Sequence, residues 1–254
     1  MPAVRVAARL DVKGPALVKG RSMEGVRKLG DPADFARKYA DDGADELVFV
    51  DVVASLYGRC SMLPIIDRVS AHVFVPITVV GGLRSVEDMA QAMRCGADKV
   101  GINTAAVARP ALISEAATAF GSQAVVVSIE AKRRGDGYEA FTDGGREATG
   151  RDAIAWAHEA AALGAGEILV TSVDRDGTMQ GFDLDLVERI AAGVAVPVVV
   201  SGGCASADDA ATAARRVDAV AIGAAFHAGR VTVAQVKAAM MRDGMRVRPV
   251  ECAA

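Results

Sequence analysis

The chain has 254 residues, a length that fits one α/β barrel or two small domains. Its net charge of −3, with 29 basic residues scattered rather than clustered, argues against a nucleic-acid partner, and no apolar run reaches the roughly 18 to 20 residues of a membrane span. The N-terminus lacks the apolar stretch of a signal peptide, and neither the cysteines (Cys60, Cys95, Cys204, Cys252) nor the histidines (His72, His158, His227) have disulfide or ligand spacing, so a cytoplasmic protein with no metal and no cofactor is expected.

Along the chain, short β-branched runs alternate with Ala-rich amphipathic stretches, the pattern of repeated βα units. Strands are expected near 5–11, 46–52, 76–81, 98–102, 123–130, 167–172, 197–201 and 218–223. Helices are expected over 32–42, 85–95, 111–120, 152–163, 184–192 and 206–216, with Ser85 and Ser206 as N-caps ahead of acidic first turns. Hydrophobic residues make up 52% but aromatics only 4%, which suits parallel strands covered on both faces by helices. Eight such strands fit a closed (β/α)8 TIM barrel, a single domain over 1–254.

The two halves repeat. Val80-Gly81-Gly82-Leu83 and Gly96-Ala97-Asp98-Lys99-Val100 in the first half answer to Ser201-Gly202-Gly203-Cys204 and Val217-Asp218-Ala219-Val220 in the second. Gly82 and Gly203 are 121 positions apart, and so are Glu46 and Glu167. The barrel therefore reads as two fused half-barrels.

Each Gly-Gly turn follows an apolar strand and precedes a capped helix. Glycine lets the backbone approach an anion, and exposed N–H groups there bind phosphate. The next turn of each half, Asn103-Thr104 and Gly223-Ala224, would add donors around the same anion, with Gly82 and Gly203 at the two centres. One such turn is weak evidence; two with matching partners point to a substrate carrying a phosphate at each end. Ala224 lacks a hydroxyl, so the second site should bind more weakly.

Acidic residues gather where barrel catalysis occurs, at the C-terminal ends of strands. Asp11 ends the first strand and Glu130 the fifth, diametrically opposed, with Asp51, Asp174 and Asp176 on the same face. Such a pair suits general acid/base chemistry on the middle of a bisphosphate. The plainer account is that either acid caps a loop or pairs with Lys19 or Lys132. At the opposite end, Arg5, Glu46, Lys99 and Glu167 open otherwise apolar strands and could close into a salt-bridged ring. Residue chemistry alone favours a structural plug there over a transport device.

Taken together these strings resemble the cyclase subunit of imidazole glycerol phosphate synthase over essentially the whole chain. The matching stretches include Leu10-Asp11-Val12, Val18-Lys19-Gly20, Gly43-Ala44-Asp45-Glu46-Leu47-Val48-Phe49, Gly96-Ala97-Asp98-Lys99-Val100 with Ile102-Asn103-Thr104, and Asp174-Arg175-Asp176-Gly177-Thr178. A sister isomerase barrel shares the half-barrel plan but not these strings. The resemblance implies a lyase of histidine biosynthesis in which ammonia from a partner glutamine amidotransferase (glutaminase) meets a bisphosphate ribulosyl-formimino nucleotide. It implies Asp11 and Glu130 as acid and base and Lys19 on a loop over the substrate. It also implies phosphate contacts at Gly82, Asn103 and Thr104, and at Asp176, Gly177, Gly203, Gly223 and Ala224. The ring of Arg5, Glu46, Lys99 and Glu167 matches the family's ammonia gate, which turns the preference from plug to gate and implies a heterodimer.

The departures cluster at the barrel interior and mouth. Glu130 stands where the family has Asp, Arg9 where it has Cys, and Gly101 where Ser is usual. An ammonia-channelling paralogue acting on a different phosphorylated substrate, in modified-sugar or other nitrogen-heterocycle synthesis, is the alternative they raise. An arginine inside the barrel needs a carboxylate, so Arg9 is expected to pair with Glu130 across it and to lower its pKa, with Gly101 opening the space.

Overall fold

In the computed structural model, which describes residues 3–54 and 62–250, β1 (Arg5–Lys13) leads into an antiparallel hairpin of β2 (Ala16–Arg21) and β3 (Glu24–Gly30). Then come α1 (Pro32–Asp41), β4 (Glu46–Asp51), α2 (Leu63–Ser70), β5 (Ile77–Val80), α3 (Val86–Arg94), β6 (Lys99–Ile102), α4 (Thr104–Ala108) and α5 (Ala111–Phe120). The second half runs β7 (Val125–Arg134), an antiparallel pair β8 (Gly137–Thr142) and β9 (Glu147–Asp152), α6 (Ala153–Ala162), β10 (Glu167–Ser172) and α7 (Leu184–Ala191). It ends with β11 (Val198–Ser201), α8 (Ala207–Ala214), β12 (Ala219–Ile222), α9 (Ala224–His227) and α10 (Val233–Arg242). Cys60 and Cys252 lie outside the described residues. Cys95 and Cys204 are free thiols.

Eight parallel strands close a ring in the order β1-β4-β5-β6-β7-β10-β11-β12, with β12 pairing back onto β1. This is the expected (β/α)8 barrel. Alternate residues point inward, so Ala7, Val48, Val50, Val80, Val126, Leu169, Val199, Ala219 and Ala221 form an inner core, and the opposite faces pack under the helices. Both faces are dry, which is why the strands read as near-continuous apolar runs. Ser85 and Ser206 cap α3 and α8, accepting the amides of Asp88 and Asp209 at 3.1 Å. Among the described residues no helix is long and apolar enough to cross a membrane.

The repeat has a structural job at the bottom of the barrel. Asp45, Asp98 and Asp218 each accept the first free amide of a neighbouring strand, from Val6 at 2.7 Å, Ile77 at 2.8 Å and Val198 at 2.9 Å. The fourth equivalent position is Gly166, where a Cβ would fall 2.0 Å from the Ser122 carbonyl oxygen. No side chain fits there, so the motif changes.

The two hairpins are absent from the sequence expectation. Strand β1 runs two residues past Asp11 and β7 four past Glu130, and both continue into antiparallel ribbons over the barrel mouth. The β3 strand is largely exposed and rich in charge, so it carries no apolar alternation to detect. Lys19, expected on a loop, sits on β2. The β2–β3 turn is Ser22-Met23, both with positive φ, the two-residue geometry that normally calls for Asn-Gly.

Candidate functional site

Asp11 sits on the inner face of β1, two residues beyond Arg9, and both are buried. The Arg9 Nε donates to Asp11 Oδ1 at 2.8 Å, and the Lys19 ammonium donates to Oδ2 at 2.6 Å. Lys19 also reaches both oxygens of Asp176 at 2.9 Å, on the turn after β10. Burial alone would push the Asp11 carboxyl up; the guanidinium and ammonium outweigh it and hold the group below the usual carboxylate range. Asp11 is thus a fixed anion.

Glu130 lies opposite on β7, four strands away in either direction. Its Oε2 accepts the Gly145 amide at 2.7 Å, from the turn joining β8 to β9. Burial pushes its pKa up to about 7, with the Gly145 hydrogen bond and the Arg9 charge pulling only part of the way back. The expected Arg9–Glu130 pair does not form. The guanidinium instead takes Asp11 on its own strand, Thr171 Oγ1 at 2.8 Å and Ser201 Oγ at 3.1 Å, so it is satisfied on the β10–β11 side. The expected lowering of the Glu130 pKa is therefore reversed, because burial outweighs a distant charge. Nor does Gly101 open space: a Cβ there would lie 2.7 Å from Val80 Cγ2, so the neighbouring valine already fills it.

Both Gly-Gly turns face the barrel mouth with positive φ throughout, at +101° and +74° for Gly81 and Gly82 and +94° and +105° for Gly202 and Gly203. The first borders a cavity of about 330 Å³ lined by Asp51, Gly82, Arg84, Asn103, Thr104, Arg109 and Glu130. Asn103 donates to the Phe141 carbonyl at 3.0 Å and Thr104 accepts the Asp143 amide at 3.2 Å, which ties this site to the β8–β9 ribbon. The second groups Asp176, Gly177, Gly203, Gly223 and Ala224 around a space of only about 10 Å³, room for one water. Here Gly203 is essential to packing, since a Cβ would meet the Gly181 carbonyl oxygen at 2.2 Å.

At the other end of the barrel, Arg5 bonds Glu46 at 2.9 Å and Glu167 at 2.7 Å, while Lys99 bonds the same two acids at 3.2 Å and 3.0 Å. The four side chains form a closed ring of two cations and two anions. Each charge faces two opposite ones, the condition under which burying them is tolerable.

Sequence reasoning missed four contributors. Thr171 and Ser201 hold the Arg9 fork, and Arg84 and Arg109 bring positive charge to the first cavity. The first pair had a signal, since both are polar at inward-facing positions of apolar strands. Among the described residues no group of three or more His, Cys, Asp and Glu is arranged to hold a metal ion.

A family model described as histidine biosynthesis protein matches residues 5–232. The chain is 54% identical over 204 residues to the imidazole glycerol phosphate synthase subunit HisF of Legionella pneumophila, covering 80% of this chain and 96% of that protein. It is 47% identical over 251 residues to the subunit of that name in Leifsonia xyli subsp. xyli, covering 97% and 99%. The corresponding subunit of Corynebacterium diphtheriae is 46% identical over 254 residues, covering 97% and 98%.

Proposed function

This chain belongs to the histidine biosynthesis protein family, and from that premise we propose how its barrel works. It is the cyclase subunit of an imidazole glycerol phosphate synthase, an enzyme of histidine biosynthesis. Ammonia and a bisphosphate ribulosyl-formimino nucleotide become imidazole glycerol phosphate, an aminoimidazole carboxamide ribotide and water. No specific observation favours the alternative of a paralogue with another substrate.

The observation that carries the assignment of roles is the opposite electrostatic treatment of two facing carboxyls. Closing the ring requires a group that removes protons from nitrogen and one that donates protons to departing groups. Asp11, ionised and with its Oδ2 available once Lys19 releases it, takes the first role; Glu130, whose pKa of about 7 leaves a protonated fraction at neutrality, takes the second. Gly82, Asn103 and Thr104 hold one phosphate, with Arg84 and Arg109 nearby. Gly177, Gly203, Gly223 and Ala224 hold the other, with Lys19 and Asp176 above them. Opening of the second cradle by local movement is part of this reading, because a phosphate is larger than the space there.

As one subunit of a complex, the chain works with a glutaminase docked at the lower end of the barrel. The ring of Arg5, Glu46, Lys99 and Glu167 gates the ammonia that partner releases. The reaction runs in the cytoplasm, without metal or cofactor, in one barrel domain. The purified chain, supplied with the bisphosphate nucleotide and an ammonium salt, should form both products, and its gene should restore growth to a histidine auxotroph lacking the cyclase. Absence of both products would sink the reading.

A further inference from the structure

Arg9 is a long cation wholly inside a barrel, where charge is costly unless every part of it is engaged. Its fork is engaged on three strands: Asp11 on β1, Thr171 on β10 and Ser201 on β11. Ser201 is itself fixed, its hydroxyl donating to the Ala221 carbonyl on β12 at 3.1 Å. To leave Asp11 the guanidinium would also have to give up its hydrogen bonds to two other strands of the barrel wall. Lys19, the other cation on Asp11, stands on different ground. It belongs to a hairpin joined to β1 by only two paired positions, Val12 with Leu17 and Lys13 with Ala16, and held to the turn after β10 through the single residue Asp176. The outer strand of that hairpin, β3, pairs with β2 alone and is mostly exposed.

We propose that Arg9 is a positioning residue that keeps Asp11 ionised and aimed at the barrel mouth independently of where the Lys19 hairpin stands. It rests on the reading of Asp11 as the base of the cyclase. Each Asp11 oxygen has its own cation: Oδ1 has the one held within the barrel wall and Oδ2 the one carried on the hairpin. With Lys19 drawn away, Oδ2 would be free to take a proton while Oδ1 stays bound to Arg9, so the group would keep its charge until the transfer and its direction throughout. The other charged or titratable groups around Asp11 do not replace Arg9. Asp176 is an anion paired to Lys19, Asp51 on the adjoining β4 is another acid, and Glu130 lies across the lumen. His227 on α9 is driven by burial to a pKa of about 4 and is neutral at working pH.

The test compares wild type, Arg9→Met, Arg9→Lys and Lys19→Met in ammonium-driven turnover across pH, alongside the carboxyl carbon-13 titration of Asp11 without substrate. Arg9→Met should raise the Asp11 midpoint and the acid limb of kcat/KM by roughly 1 pH unit or more. It should lower kcat by about tenfold or more with little change in KM, as loss of orientation does. Arg9→Lys should return the acid limb toward wild type, since the charge is kept, while recovering kcat only in part. If Arg9→Met does not fold, the double variant Thr171→Val, Ser201→Ala decides: it frees the fork but keeps the charge, so kcat should fall with the limb in place. An unmoved Asp11 midpoint in Arg9→Met, or an unmoved kcat in the double variant, overturns the proposal. So does a kcat loss in Arg9→Met without a limb shift. A wild type without turnover would refute the cyclase reading instead, and the carbon-13 titration would still judge Arg9.

Discussion

Lys19 on β2 donates to both carboxylate oxygens of Asp176 at 2.9 Å, and the Ser22 amide of the same hairpin donates to the Asp176 carbonyl at 2.7 Å. A single residue on the turn after β10 thus fastens the hairpin both by side chain and by backbone. Lys19→Met should cut the first tie and keep the second. Amide exchange over residues 16–30 should quicken by about tenfold, the factor equivalent to about 1.4 kcal/mol, while exchange in β10–β12 stays as it was. Equal quickening in both regions would mean the fastening is not local.

The lower ring offers a separation of effects. Lys99→Ala leaves Glu46 and Glu167 sharing Arg5 alone, which should lower the melting temperature by a few degrees. With a glutaminase partner, glutamine-driven turnover should drop by about tenfold more than ammonium-driven turnover. Equal losses would leave the ring a plug.

Glu130 makes stability depend on pH in an unusual direction for an acid. Its folded pKa is raised from 4.5 to about 7, so the folded chain holds a proton that the unfolded chain has given up. That stabilisation is complete below pH 4.5 and is lost as pH rises through about 7. Glu130→Gln, which stays neutral, should flatten this window in a denaturation series. The same variant should lower turnover by about 10²-fold or more if Glu130 is the proton donor. A window that survives the substitution would assign it to another group.

The cradle proposed for the second phosphate ends in Ala224, where a hydroxyl would add a donor. Ala224→Ser should tighten inorganic phosphate binding at that site by about fivefold to tenfold, the worth of roughly one hydrogen bond, and leave the first site alone. Gly203→Ala, in contrast, drives a Cβ into the Gly181 carbonyl oxygen and should destabilise the fold as well as abolish binding there. Titration calorimetry read against the melting curve distinguishes the two.

Much of the barrel could be read from the chain because its strands are dry on both faces, which writes apolar runs such as Ile77–Val80 directly into the sequence. The ring was legible for the converse reason: Arg5, Glu46, Lys99 and Glu167 are charges at the mouths of those runs. The hairpins were not, because β3 and β9 are half-wet and their pairing is set by turns such as Asp143-Gly144-Gly145. Arg9 shows the limit most clearly. Its position was readable, but a long side chain chooses among neighbours by rotamer, and Thr171 with Ser201 were nearer than the acid across the lumen. The Glu130 proton follows from the same cause, since its burial depends on a turn fifteen residues away.

The unequal cradles, about 330 Å³ around one Gly-Gly turn and about 10 Å³ around the other, matter for a reason of symmetry. A two-fold repeat meeting a ligand with a phosphate at each end could accept it head-first or tail-first, and one of those two poses would hand each carboxyl the wrong atom. Divergence of the halves removes that degeneracy. If the two cradles hold the two phosphates as proposed, one would enter a roomy pocket freely and the other would have to force a tight one open, sorting the ligand by end before any bond is made.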